Sequence, residues 1–163
     1  MTTGTVKTQG TELFMIETAS ASDHVITKMA CPTGVTGLGG AKDQIEDTCL
    51  DTTGDKTFKG GLGNPGQVSV PFNLIPRDGS HQFLFTLKEQ GDVLKWIVCL
   101  SESTTDPTMD TDFEFVAPTD RTSFKFDAFI SDVNIDIATN EIVRGTLTLQ
   151  RSGSVTPFFY TPA

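Results

Sequence analysis

The sequence holds little of what catalytic and metal-binding chains usually carry: two histidines, one tryptophan, one tyrosine and three cysteines among 163 residues. Cys31, Cys49 and Cys99 make an odd count with no CxxC spacing and no paired histidine. That pattern argues against zinc and against a disulfide framework, and for reduced thiols. His24 and His81 stand far apart and belong to no metal or triad pattern, and Ser101 and Ser123 have no nucleophile-elbow sequence around them. No apolar run approaches the roughly 20 residues that span a bilayer. The start, MTTGTVKTQGTE, lacks the basic and apolar regions of a signal peptide, so synthesis and retention in the cytoplasm are expected. Basic residues never cluster, which disfavours binding that works by neutralising phosphates.

What is present is one domain's length of chain, 37% hydrophobic and 20% charged, enough to bury a core. The net charge is −9. From Glu102 to Asp120 there are six carboxylates (Glu102, Asp106, Asp110, Asp112, Glu114, Asp120) and no Lys or Arg, a composition suited to a solvated loop.

The pattern is mostly that of strands. Val68, Val70, Phe72 and Leu74 alternate with Gln67, Ser69, Pro71 and Asn73, the period of two of a half-buried strand. Pro71 cannot donate to a ladder, so an edge or a bulge is expected there. Phe124, Phe126 and Ala128 alternate with Lys125, Asp127 and Phe129, and then Val133, Ile135 and Ile137 with Asp132, Asn134 and Asp136. A turn at Thr139-Asn140-Glu141 leads to a strand over 142–151, so the end of the chain reads as a meander with one buried and one polar face. One helix is expected over 81–90, capped by Ser80, with Phe83, Leu84 and Leu87 as its stripe and Gly91 as its stop. The following segment, Val93–Leu100, is apolar on both faces, as a strand roofed by that helix would be, with Trp96 as a core anchor. Residues 31–49 hold four glycines and a proline and read as a long loop. Phe158, Phe159 and Tyr160 near the end should dock on their own domain or on a neighbour, since each gains about 1.5–3 kcal/mol on burial.

Motifs for chemistry are weak. Gly37-Leu38-Gly39-Gly40 is followed by no GKS or GKT, so it reads as a flexible loop and not a phosphate loop. Asp106–Asp112 lacks the glycine and the closing glutamate of a calcium loop. No cofactor and no metal are expected, and the chain is not expected to be an enzyme.

The order of elements carries a resemblance. Short strands at Leu13–Ile16 and Val25–Met29 precede a Gly-rich loop, then Ile45–Asp51 with an I-x-x-T stretch. Lys56–Leu62 follows, with a lysine-aromatic pair and a Gly-Leu turn, and then come strand, helix and apolar strand. The F-x-F-x-A-F run from Phe124 to Phe129 and the stretch Gly145–Gly153 complete the series. Over residues 10–153 this resembles the major tail tube proteins of bacteriophages with long non-contractile, lambda-like tails. The resemblance implies a mostly β fold, a small β-sandwich with a barrel-forming sheet, one flanking helix and a long inter-strand loop, akin to the tubes of contractile tails and type VI secretion. It further implies hexameric rings that stack into a tube whose lumen passes DNA, without enzymatic activity. The expected layout is one tail tube domain over 1–163, with an N-terminal arm at 1–10, an assembly loop at 31–49 and a C-terminal arm at 154–163. No immunoglobulin-like decoration domain is expected.

Within that frame the polar faces of the last strands, Asp132, Asn134, Asp136, Thr146, Thr148 and Gln150, are the lumen candidates. They alternate and carry no lysine, and an acidic lumen would repel phosphate. Gly37, Gly39, Asp43, Glu46, Asp47, Phe158, Phe159 and Tyr160 are the candidates for contacts between rings. The implied partners are other copies of the chain, the tape measure protein, the tail terminator and tail-tip proteins, with DNA in transit and no membrane. The location would be the virion tail, assembled in the host cytoplasm. The alternatives are another phage or secretion tube, a tail-terminator ring, a β-sandwich carbohydrate-binding module, or a small hydrolase.

Overall fold

A computed structural model describes residues 4–20 and 23–163. Residues 1–3 of the expected N-terminal arm lie outside that range. The elements in chain order are β1 (Glu12–Ser20), β2 (Asp23–Lys28), β3 (Lys42–Glu46), β4 (Phe58–Gly63), β5 (Gln67–Asn73), α1 (Gly79–Gln90) and β6 (Leu94–Cys99). They continue as β7 (Thr108–Met109), β8 (Phe115–Val116), β9 (Ser123–Asp136), β10 (Arg144–Arg151) and β11 (Thr156–Phe158). This is the mostly β architecture with one helix that the patterning leads one to expect.

The principal sheet runs β2-β1-β6-β9-β10-β5, with β11 added to β9. Every pairing in it is antiparallel. The inward rows of its two wings meet in one cluster: Leu13 and Met15 from β1 share it with Val68, Val70 and Phe72 from β5 and Leu147 and Leu149 from β10. The sheet is therefore curled over a common core. After β2 the chain crosses to the opposite edge, where Thr36 exchanges backbone hydrogen bonds with Ser69 and Thr33 donates to the Pro71 carbonyl. Pro71 thus lies on the last strand of the ladder, with its missing N–H on the outer side, as a proline in a sheet requires.

The long strand β9 replaces the two separate segments expected at 123–130 and 132–137. Its pairing with β10 shifts register between Leu149↔Ile130 and Thr148↔Asp132, leaving Ser131 as an extra residue. Ser131 Oγ donates to the Thr148 carbonyl. This bulge moves the inward row from Phe126, Ala128 and Ile130 to Val133 and Ile135, so the change of phase in the sequence marks a bend and not a turn. Ile137, placed with that apolar row, lies past the strand and is 81% exposed. The true turn follows, with Asn140 at φ +59.

The helix starts two residues earlier than expected. Asp78 is its N-cap, accepting from Ser80 N, and Gly91 closes it in the left-handed region. Ser80 is buried and accepts from Ala30 N through its Oγ, so its hydroxyl ties the helix to the crossover. His81 extends that tie: its Nδ1 accepts from Ile75 N and its Nε2 bonds the Ala30 carbonyl. Leu84 and Leu87 enter the core, Phe83 packs at its margin, and Trp96 bonds the Ala128 carbonyl within it. The helix side accounts for one face of β6 only. The other face, with Ile97 and Cys99, joins Phe14, Ile16 and Phe115 in a second cluster beneath Met109 and Ala117. The acidic connection is therefore a packed cover with an apolar underside, held also by His24 stacked on Phe113.

Gly145 faces Phe72 across β10 and β5, and a Cβ there would overlap the Phe72 ring. Gly145→Ala should lower stability by roughly 1–3 kcal/mol, since overpacking a filled core forces neighbours off their rotamers. Urea denaturation followed by Trp96 fluorescence measures it, and an unchanged midpoint would show that Phe72 can move aside.

Candidate assembly surfaces

The lumen candidates fall on one polar face. Arg144, Thr146 and Thr148 of β10 stand opposite Asp136, Asn134 and Asp132 of β9, and the same three face Asn73, Pro71 and Ser69 of β5. Residues directly opposite in an antiparallel pair share a side of the sheet, so the polar row extends across three strands. Asn134 Nδ2 donates to Asp136 Oδ1 along that face. Asp132, Asn134 and Asp136 are exposed, whereas Thr146, Thr148 and Gln150, flanked on both sides, are half-buried. Two features modify the sequence reading. Arg144 puts a cation on the face, and Asp132 is ion-paired to Lys88 of α1 at 3.2 Å. Gln150 stands opposite Phe129, beyond the bulge, and its amide donates to the Gly66 carbonyl.

The expected loop 31–49 divides into three parts. Residues 31–36 are bonded to β5. Gly37, at φ +91, passes so close to Gln67 that a Cβ would collide with its carbonyl, so this glycine serves a close approach and not flexibility. Lys42–Glu46 is a strand, β3, paired with β4 in a separate two-stranded sheet. The expected Gly-Leu turn at Gly61-Leu62 lies within β4. This hairpin is a projecting arm: Ile45 (56%), Leu50 (108%), Phe58 (52%) and Leu62 (85%) are exposed, and none joins either core cluster. Asp43, Glu46 and Asp47 belong to the arm. Glu46 pairs with Lys56 at 3.1 Å and Asp47 with Lys59 at 2.9 Å, bracing one strand against the other. Gly39 sits at the arm's root, where its carbonyl accepts from Arg151.

The C-terminal aromatics dock partly on their own domain. Thr156–Phe158 pairs with Ser123–Lys125 of β9, and Tyr160 N donates to Thr122 Oγ1 at 3.2 Å. Phe159 stays 68% exposed, edge-on to Phe124 with ring centroids 6.0 Å apart. The tail is thus attached by backbone and leaves an aromatic surface outward.

Sequence reading missed two buried arginines. Arg121, fully buried, donates to the carbonyls of Leu100, Cys99, Thr105 and Gly10 and to Glu12 at 3.0 Å. Arg151 is 5% exposed and continues the inward row of β10. A single arginine in a strand, as Arg151 is, or in the turn before one, as Arg121 is, looks like surface, so no local signal identifies either. The third thiol, Cys99, is pushed up to about 11 by burial, which keeps it protonated and unreactive.

A β-body that carries an ordered apolar arm and an aromatic tail has the build of a structural component that associates with other chains. Comparison with known proteins names the family. Residues 4–159 match the model of the lambda-like phage tail tube protein family. "Structural protein 3" of Pseudomonas phage PAJU2 is 34% identical over 152 residues, covering 91% of this chain and 90% of that one. The chain belongs to the lambda-like phage tail tube family and is a structural protein of the virion. The fold recurs in the SPP1 tail tube (TM-score 0.67, 10% identity, 97% of this chain and 81% of that chain). It recurs also in the PVC sheath-tube complex of an extracellular contractile injection system (TM-score 0.63, 14% identity, 95% and 92%).

Proposed function

We propose that this chain is the repeating subunit of the tail tube: copies join into hexameric rings, the rings stack, and DNA passes through the lumen without specific binding. The observation that carries this reading is the β3–β4 arm, which is ordered yet buries none of its four large apolar side chains in its own domain. Each would gain about 1.5–3 kcal/mol on burial against another copy. The domain is a single tail tube unit in which the arm, the tail 154–163 and the N-terminal segment make the contacts between copies. The partners at the ends of the polymer would be terminator and tail-tip proteins, with the tape measure protein inside. The chain catalyses nothing in this reading. A carbohydrate-binding module would present tryptophan or tyrosine in a groove, and Trp96 is 1% exposed.

The polar face of β5, β10 and β9 is proposed to line the lumen, where carboxylates and hydroxyls would repel or slide past phosphate. Asp132 is screened by Lys88, so Asn134 and Asp136 give the cleaner test. Asn134→Lys with Asp136→Lys should leave stability within about 0.5 kcal/mol, because both are exposed. Phages assembled with this variant should have tails of normal length and slowed DNA release, followed by dye uptake after triggering. Release at the parental rate would place that face away from the DNA.

A further inference from the structure

Arg151 differs from Arg121 in one respect that matters chemically. Arg121 meets a carboxylate, Glu12, at 3.0 Å. Arg151 is nearly as withdrawn from water, but among the described residues its guanidinium meets only the carbonyls of Gly39 and Pro65, and its Nε is buried with no partner there. Among the described residues, no carboxylate lies in ion-pair contact with Arg151 or with Lys42. Both cations line one cavity of about 460 Å³. Asn64 and Ser154 add polar groups to its wall, Leu38 and Val155 add apolar ones, and no acidic residue takes part. A buried cation without a counter-charge is costly, and an anion arriving from outside relieves that cost.

We infer that this cavity is a receptor for a carboxylate, filled by an acidic side chain of a second copy of the chain. The donor set selects an oxyanion: Nη2 of Arg151 is given to the two carbonyls, its Nε is left without a partner, and Lys42 adds an ammonium to the same wall. The apolar wall suits the methylene stem of Asp or Glu better than a bare inorganic ion. A second copy is the occupant because the cavity sits where both the β3–β4 arm and the C-terminal tail leave the body, the two segments assigned above to contacts between copies. Copies of this chain are also rich in unpaired acid: the net charge is −9, and Asp106 and Asp112 are exposed, with no ion pair among the described residues. The choice of occupant rests on the tube reading; the receptor itself does not.

The test has two arms, both on the full chain. In the first, the ¹⁵N-labelled unassembled protein is titrated with acetate at constant ionic strength, chloride being the balancing anion. The Arg151 Nε–H signal should move saturably, and Lys42→Ala, an exposed change, should weaken acetate several-fold. A linear response no different from that of chloride would overturn the receptor. In the second, polymer growth is followed by light scattering with and without acetate, which should compete with the incoming side chain and slow growth. Saturable binding with unaltered growth would overturn the second copy as occupant. Failure to polymerise at all would count against both the tube and that occupant, while the first arm still decides the receptor.

Discussion

Excising Asp43–Leu62 and rejoining Lys42 to Gly63 through an Asn-Gly turn should leave the fold intact and abolish polymerisation. Lys42 and Gly63 are already cross-strand partners, and Asn-Gly is the pair that two-residue hairpin turns favour. Nothing between them enters either buried cluster, so the melting temperature should stay within a few degrees of the parent's. What disappears is the exposed surface of Ile45, Leu50, Phe58 and Leu62, the contact proposed to hold copies together. Sedimentation reads the outcome: polymer is expected for the parent and monomer alone for the variant. Tubes of normal length from the excised chain would remove the arm from assembly. A broader deletion of 31–49 would not serve, because it would also strip the 31–36 segment from β5.

Arg121→Met should cost roughly 3–5 kcal/mol, because it takes a buried donor from backbone carbonyls and leaves Glu12 with Lys28 as its ion-pair partner, out of a typical total of about 5–15 kcal/mol. Four carbonyls would lose their donor, and the N-terminal segment at Gly10 would be freed from the acidic cover at Thr105. Arg121→Lys should recover only part of the loss, since an ammonium cannot reach that spread of acceptors. The pH dependence gives a second readout. Burial raises the pKa of Glu12, but hydrogen bonds and charge from Lys28 and Arg121 outweigh it and hold the group below its ordinary 4.5. A carboxylate depressed in the folded state stabilises above its unfolded value and loses that contribution as pH falls through its folded value. The parent should therefore weaken below about pH 4.5 more steeply than Arg121→Met. Parallel acid transitions in chemical denaturation would contradict the role assigned to the pair.

Much of the body was legible because one face of most strands is buried. The alternation in 67–74 and 142–151 translated directly into β5 and β10, and the row Asp132, Asn134, Asp136 emerged on the polar side for the same reason. The bulge at Ser131 was not legible, since one extra residue in a strand reverses the apolar phase just as a turn would. The arm was hidden for the opposite reason. Lys42–Glu46 is exposed at every position, so no buried face imposes a period on it, and glycines in β4 suggest loop. The buried arginines were beyond reach, because their burial is decided by chain segments as much as 112 residues away, as between Arg151 and Gly39.

The most direct test of the tube is a helical reconstruction by electron cryomicroscopy of the polymer this chain forms. The expected map is a hollow, six-fold tube with the face of Asn134, Asp136 and Thr146 on the lumen and the β3–β4 arm seated on a neighbouring copy. A polymer with that face turned outward, or with the arm free in solvent, would contradict it.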